Sequence, residues 1–290
     1  MSATLHFLVT HRLLIVLLVL GLARLVERQI PADRTLPAGD IGNDYKVIAL
    51  RLLVGLTVVS YCEAAAVALV NAMGGGIVTL RSDGGWFLPS MLVYLFLYDL
   101  KQYGVHVLFH RSAFFWSMHS LHHSARVVTV TSSARHYWLG EFIGFAFIVP
   151  FALLLRVPVE ILVVVAPLRA LAVALAHTNI RASYGFLSLV ITGPQYHRIH
   201  HSRHPEHVDK NLAELFPIWD VIFGTVWRPK PDEYPATGLG DGDTPTGMID
   251  LIVWPVRHRL RRRWTLDSWY RMAFRHHAVG RVQPAQPLIE

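Results

Sequence analysis

Five histidines crowd one short stretch of the chain, at positions 106, 110, 119, 122 and 123 within the run from Asp99 to His123. If that run is helical, His106 and His110 are four apart, and His119 lies three and four before His122 and His123. Each group then falls on one helix face. The second spacing recurs far along the chain in His197, His200 and His201. Neutral imidazole ligates iron, zinc, copper and nickel through either ring nitrogen. Eight imidazoles exceed what one tetrahedral ion can use, so two neighbouring metal ions are the economical expectation. A single such histidine would read as hydrogen-bonded or solvated; three ordered groups read as a metal centre.

Other residues could serve that centre. Asp99 shares a helical face with Tyr103, His106 and His110 at offsets of four, seven and eleven. It could accept the second ring proton of a ligating imidazole or make a polar helix-packing contact. His136 and His177 stand alone in sequence, and only the fold could bring them to the metals. His204 precedes Pro205 and is biased away from helix, so His204 and His207 read as loop residues. His6, His11, His258, His276 and His277 lack the partner spacing.

The elements that must position these groups are apolar. The 290 residues are 53% hydrophobic, with a mean hydropathy of +0.37. Apolar runs cover Leu13–Val26, Val47–Val70 (with Arg51, Cys62 and Glu63), Trp86–Phe109, Phe142–Leu155 and Ile161–Ala176. The first reads as a membrane anchor or first span, the second is long enough to span a bilayer, and the third carries the first two histidines at its far end. The last two suggest a hairpin that enters the bilayer and returns, its turn stopping short of the opposite surface. Arg169 within it should point to protein or water. The stretch from Ser124 to His136 is polar and reads as lying at the aqueous face, and the tail from Ile249 to His277, rich in arginine and tryptophan, reads as an interfacial segment interrupted at Pro255. The expected fold is an all-α polytopic membrane helix bundle with a histidine-rich di-metal site at its cytosolic face. Residues 1–85 would hold the N-terminal spans and loops, 86–228 the catalytic domain, and 229–290 a linker and basic interfacial tail.

The net charge of +7 suits loops beside anionic lipid. Nucleic acid is not an expected partner, because no basic stretch interleaves with a binding motif. One cysteine allows no internal disulfide.

The order histidine-x3-histidine, histidine-x2-histidine-histidine, histidine-x2-histidine-histidine resembles the fatty acid hydroxylase and sterol desaturase superfamily of integral-membrane non-haem di-iron oxygenases. Asp99, Trp116, the run His119–Ser124, His177-Thr-Asn, Asp209-Lys-Asn211, Ile218-Trp219-Asp220 and Phe223-Gly224-Thr225 extend the resemblance over about residues 90 to 228. Val107 and Leu212 depart from the common pattern without removing a ligand. The resemblance implies that His106, His110, His119, His122, His123, His197, His200 and His201 hold two iron ions, with His177 as an additional ligand and His136 as a further candidate. Asp99, Asp209 and Asp220 would support the ligands. It also implies dioxygen as co-substrate and a membrane lipid (fatty acyl, sterol or related) whose C–H bond is hydroxylated or desaturated, ether-lipid cleavage being a variant.

No fused cytochrome or flavin signature is present, so a separate reductase, ferredoxin or cytochrome is the expected electron donor. A bacterial inner membrane is the simplest location, since no retrieval signal or organelle presequence is seen. A histidine-rich metal carrier would place ligands near mid-bilayer. A zinc-dependent membrane hydrolase would carry a histidine-glutamate-x-x-histidine motif, which is absent. If the histidine face is cytoplasmic, Arg24, Arg28, Arg34, Arg126, Arg135, Arg181, Arg198, Arg203 and the basic tail fall on that side and the glycine-rich loop with Arg81 lies opposite, as the positive-inside rule requires. Tags inserted at positions 75 and 205 should therefore be reached by a membrane-impermeant reagent from opposite sides; access from one side would contradict this topology.

Overall fold

The computed structural model describes residues 17–37, 39–54, 69–70 and 72–263. The start of the first apolar run, most of the second with Cys62 and Glu63, the tail from Trp264 onward, and His6, His11, His276 and His277 lie outside the described residues.

The described chain is mostly helical: α1 (17–29), α2 (Asp40–Val54), α3 (Phe87–Arg111), α4 (Ala113–His123), α5 (Gly140–Leu154), α6 (Val159–Ala176), α7 (Pro194–His200), α8 (Ile218–Phe223) and α9 (Met248–Arg263). Two short strands, β1 (Val78–Thr79) and β2 (Leu155–Arg156), pair in parallel, Val78 opposite Leu155 and Thr79 opposite Arg156.

The 25 residues of α3 reach about 37 Å at helical rise, more than the hydrocarbon thickness of a bilayer. Pro89 sits in its first turn, where a missing N–H removes no helical hydrogen bond. The helix stops at Ser112, whose backbone is extended, and α4 starts at the next residue and packs against α3. That one-residue break brings the histidines of the two helices together.

Helices α5 and α6 form the expected hairpin. β2 lies at the turn and pairs with β1 in the segment leading into α3, and Leu155, Ile161 and Val165 pack on Tyr94 of α3. At the other end Ala174 packs with Ala23 and Val130. Among the described residues α6 is the one helix long and apolar enough to cross a membrane, with a mean hydropathy of 2.2 and only 22% of that window buried by protein. A helix apolar on all sides and largely uncovered suits apolar surroundings by length and composition. Arg169 within it pairs with Glu214 at 2.6 Å and lies over the Tyr98 ring.

Two expectations are corrected. The polar stretch after His123 is not a solvated surface: Ser124, Thr129, Ser132 and Arg135 are buried. Its polar groups meet protein partners. Glu27 of α1 accepts the backbone N–H groups of Val130 at 2.6 Å and Asn179 at 2.8 Å, while Arg135 donates to Asp44 at 2.6 Å and to the Asp40 carbonyl at 2.8 Å. Nor does Pro255 interrupt the tail, since α9 runs through it. Leu251, Trp254 and His258 are buried on both sides of that proline, and Leu251 and Trp254 share a core with Leu121 of α4 and Val47 of α2. Such packing offsets the roughly 3 kcal/mol that an interior proline costs.

Arg135 and Asp44 are both almost fully buried. Arg135→Met leaves the carboxylate unpaired and should cost about 3–5 kcal/mol, read as a lower thermal unfolding midpoint in detergent. Arg135→Lys should cost less.

Candidate metal centre

Four helices end at the same place. α3 brings His106 and His110 in its last two turns, α4 brings His119, His122 and His123, His177 caps α6, and α7 brings His197 and His200 with His201 as its cap. A helix C-terminus carries partial negative charge, so four of them converging favour a bound cation.

The nine rings divide into two donor groups. His106, His110, His119, His123 and His200 form one, and His122, His177, His197 and His201 the other. Within each, one nitrogen per ring lies within 4.8 Å of all the others. The division cuts through both triplets. His119 and His123, four apart on α4, face the first group while His122 faces the second. His197 and His201 face the second group while His200 faces the first. The groups adjoin, with ring centroids 4.5 Å apart for His123 and His201 and 5.1 Å for His197 and His200.

Hydrogen bonding fixes several tautomers. A carbonyl or carboxylate oxygen can only accept here, so the facing ring nitrogen must carry the proton. Nδ1 of His106 donates to the Leu212 carbonyl at 2.6 Å, His110 to Asp209 at 3.2 Å, His177 to the Val173 carbonyl at 2.7 Å and His200 to the Lys210 carbonyl at 3.0 Å. In each neutral ring Nε2 is then a lone pair. Nε2 of His106 lies 3.0 Å from Nε2 of His119, and Nε2 of His177 lies 3.1 Å from that of His122 and 3.0 Å from that of His197. Nε2 of His110, His123 and His200 is buried with no hydrogen-bond partner among the described residues.

These features fit metal ligation. Imidazole nitrogens sit about 2.0–2.1 Å from a bound zinc ion, which puts adjacent octahedral donors roughly 3.0 Å apart by the same radius. Buried nitrogens at that spacing, with lone pairs turned inward and unpartnered, are what a cation would satisfy. Burial, reinforced by the neighbouring imidazoles, holds His119, His122, His123, His197, His200 and His201 well below the ordinary histidine value. Burial also pushes His177 down to about 4. At neutral pH these rings are uncharged and available as ligands.

The carboxylates and the remaining histidines resolve individually. Asp209 touches a ring, through His110. Asp99 does not: it accepts the backbone N–H groups of Leu215 and Phe216 at 3.1 and 2.9 Å and the Trp219 indole N–H at 3.1 Å. Its shared face with the histidines is real, but a turn that needed an acceptor took its oxygens. Asp220 likewise touches no ring. It accepts from the backbone of Leu212 and Ala213, from Thr225 and from Tyr196, and so holds the loop that carries the Leu212 carbonyl. His136 belongs to neither donor group. It stacks on His122, with ring centroids 4.2 Å apart and planes 13° apart, beside the donor group rather than within it. His207 bonds Ser202 and Glu233, and His204 and His258 lie beside Glu206 and Asp243.

The carbonyls of Val173, Lys210 and Leu212 carry no sequence signal, because every residue has one. Trp116 packs against His110 and His123 at 5.1 and 5.2 Å. Asp209 and Asn211 have positive φ, 57° and 55°, a conformation uncommon outside glycine and often found at functional sites.

Residues 91–225 match the fatty acid hydroxylase family. The chain is 31% identical over 175 residues to the alkylglycerol monooxygenase of Caenorhabditis elegans, an overlap of 60% of this chain and 34% of that protein. It is 32% identical over 148 residues to the alkylglycerol monooxygenase of Danio rerio, covering 51% and 31% respectively. With the ornithine lipid hydroxylase OlsE of Rhizobium tropici it shares 26% identity over 168 residues, 58% of this chain and 50% of that protein. The chain thus spans about a third to a half of the length of these relatives. No solved structure matches it.

Zinc or cobalt(II) reconstitution followed by elemental analysis should give two ions per chain. His197→Ala removes a donor from the four-imidazole group alone and should lower that to one.

Proposed function

We propose that this protein, whose residues 91–225 match the fatty acid hydroxylase family, is a membrane-bound di-iron oxygenase that uses dioxygen to hydroxylate a C–H bond of a lipid. The observation that carries this reading is the pair of adjoining donor groups built from imidazole alone. His106, His110, His119, His123 and His200 would hold one iron, and His122, His177, His197 and His201 the other. Irons so bound supply dioxygen reduction and an oxidant able to attack an unactivated C–H bond.

The chain's own residues do the rest. Asp209 and the carbonyls of Val173, Lys210 and Leu212 hold the Nδ1 protons of four ligands, orienting each ring and raising its basicity. Trp116 and Phe109 lie against the five-imidazole group, which excludes water on that side. Apolar side chains are left uncovered at Phe186, Leu189 and Val190 after α6 and at Ile222 and Phe223 on α8. The two segments adjoin, since Thr192 donates its N–H to the Leu215 carbonyl, and Phe223 stacks on Tyr103 of α3. Such a surface suits a bilayer and a substrate that arrives through it. We read the chain as a polytopic helix bundle in a bacterial inner membrane, with 86–228 as catalytic domain and the centre at the cytoplasmic face near Arg126, Arg198 and Arg203. A separate one-electron donor would supply reducing equivalents.

Cells or membranes given isotopically labelled dioxygen should accumulate a lipid carrying one labelled oxygen atom when this chain is expressed. His177→Ala should abolish that product while the chain still inserts in the membrane. A labelled lipid formed at the normal rate by His177→Ala would contradict the reading.

A further inference from the structure

The two donor groups differ in how their rings are held. Three of the five imidazoles in the larger group are gripped by one four-residue strap, 209–212. Asp209 takes the Nδ1 proton of His110, the Lys210 carbonyl that of His200, and the Leu212 carbonyl that of His106. In the smaller group only His177 has its Nδ1 held, by the Val173 carbonyl of its own helix. Nδ1 of His122, His197 and His201 is buried without a hydrogen-bond partner among the described residues.

The strap is rigid in its own right. Asp209 and Asn211 adopt left-handed backbone, which points both the Asp209 carboxylate and the two carbonyls at the rings. Asn211 donates from its side chain to the Tyr196 carbonyl at 3.1 Å and accepts from the Trp227 N–H at 2.7 Å. Its own N–H donates to the Thr225 carbonyl at 2.9 Å. Asp220 then accepts from Leu212 and Ala213 on the far side of the strap.

We infer that the two ions are held unequally: the strap makes the five-imidazole site the tight one, and the four-imidazole site is labile and fills second. This rests on the ligand assignment proposed above. The physical ground is that an imidazole whose second nitrogen donates to a fixed oxygen is locked in one tautomer and orientation and is a better electron donor. A ring with no such partner must be ordered by the ion itself, and the smaller group also has one donor fewer. Asp209 is a positioning residue in this scheme, because it acts on the metal through His110.

The test uses the full-length protein in detergent, loaded with two equivalents of zinc and challenged with excess chelator. Zinc should leave in two equal phases whose rates differ by about tenfold or more. His122→Ala should remove the fast phase and leave the slow one. Asp209→Asn keeps the shape, and the side chain is 40% exposed, so no core packing is lost; it should speed the slow phase about 10–100-fold and spare the fast phase. Release of both ions in one phase, or acceleration of the fast phase alone by Asp209→Asn, would overturn the inference. A second measurement needs no variant. Cobalt(II) added to the native protein should give one visible spectrum up to one equivalent and a different increment thereafter, whereas an unchanging mixture from the first addition would also overturn it. Fewer than two zinc ions bound would instead overturn the ligand assignment, and the inference with it.

Discussion

Inward-facing imidazole lone pairs are the constraint on which the rest of the structure depends. Nitrogens face one another at 3.0–3.2 Å across four ring pairs. Two lone pairs at that distance repel unless a proton or a metal ion lies between. For His110 and His200 the Nδ1 proton is committed to an outer oxygen, and Nε2 has nothing else to meet among the described residues. A bound cation would satisfy these nitrogens.

The fold meets this demand by ending four helices at one spot and tying their ends down. Helix C-termini contribute favourable field. The one-residue break at Ser112 sets α4 beside α3, and the α5–α6 hairpin, anchored at its far end by the β1–β2 pairing, delivers His177. α1 and α2 reach in through buried carboxylates: Glu27 holds Val130 and Asn179, and Asp44 holds Arg135. α9 closes another side, with the Trp254 indole N–H donating to Ser120 of α4 at 3.0 Å. The segments flanking the histidine region therefore act as its scaffold.

Spacing alone was enough to select eight of the nine histidines that the fold gathers, because positions three and four apart on a helix must point the same way; His177, single in sequence, came only with the family resemblance. How each triplet divides was not legible. That depends on where two helix ends meet, and nothing local in His119 to His123 or His197 to His201 records it. Asp99 shows the same limit: its face could be read from offsets of four, seven and eleven, but its partner, the turn at 215–219, lies more than a hundred residues away. The polar stretch after His123 looked solvated because polarity cannot distinguish water from buried carboxylates on distant helices. Pro255 looked like a break because the packing that overrides it is tertiary. His136 sits near the cluster, yet only coordinates reveal that it stacks on a ligand ring rather than joining a donor group.

Anaerobic loading of the purified full-length protein with isotopically enriched iron, followed by Mössbauer spectroscopy, tests the central claim most directly. Two irons per chain, in nitrogen-rich surroundings and spin-coupled after exposure to dioxygen, are the predicted result. A single uncoupled iron, or failure to bind iron beside stable binding of one zinc, would contradict it.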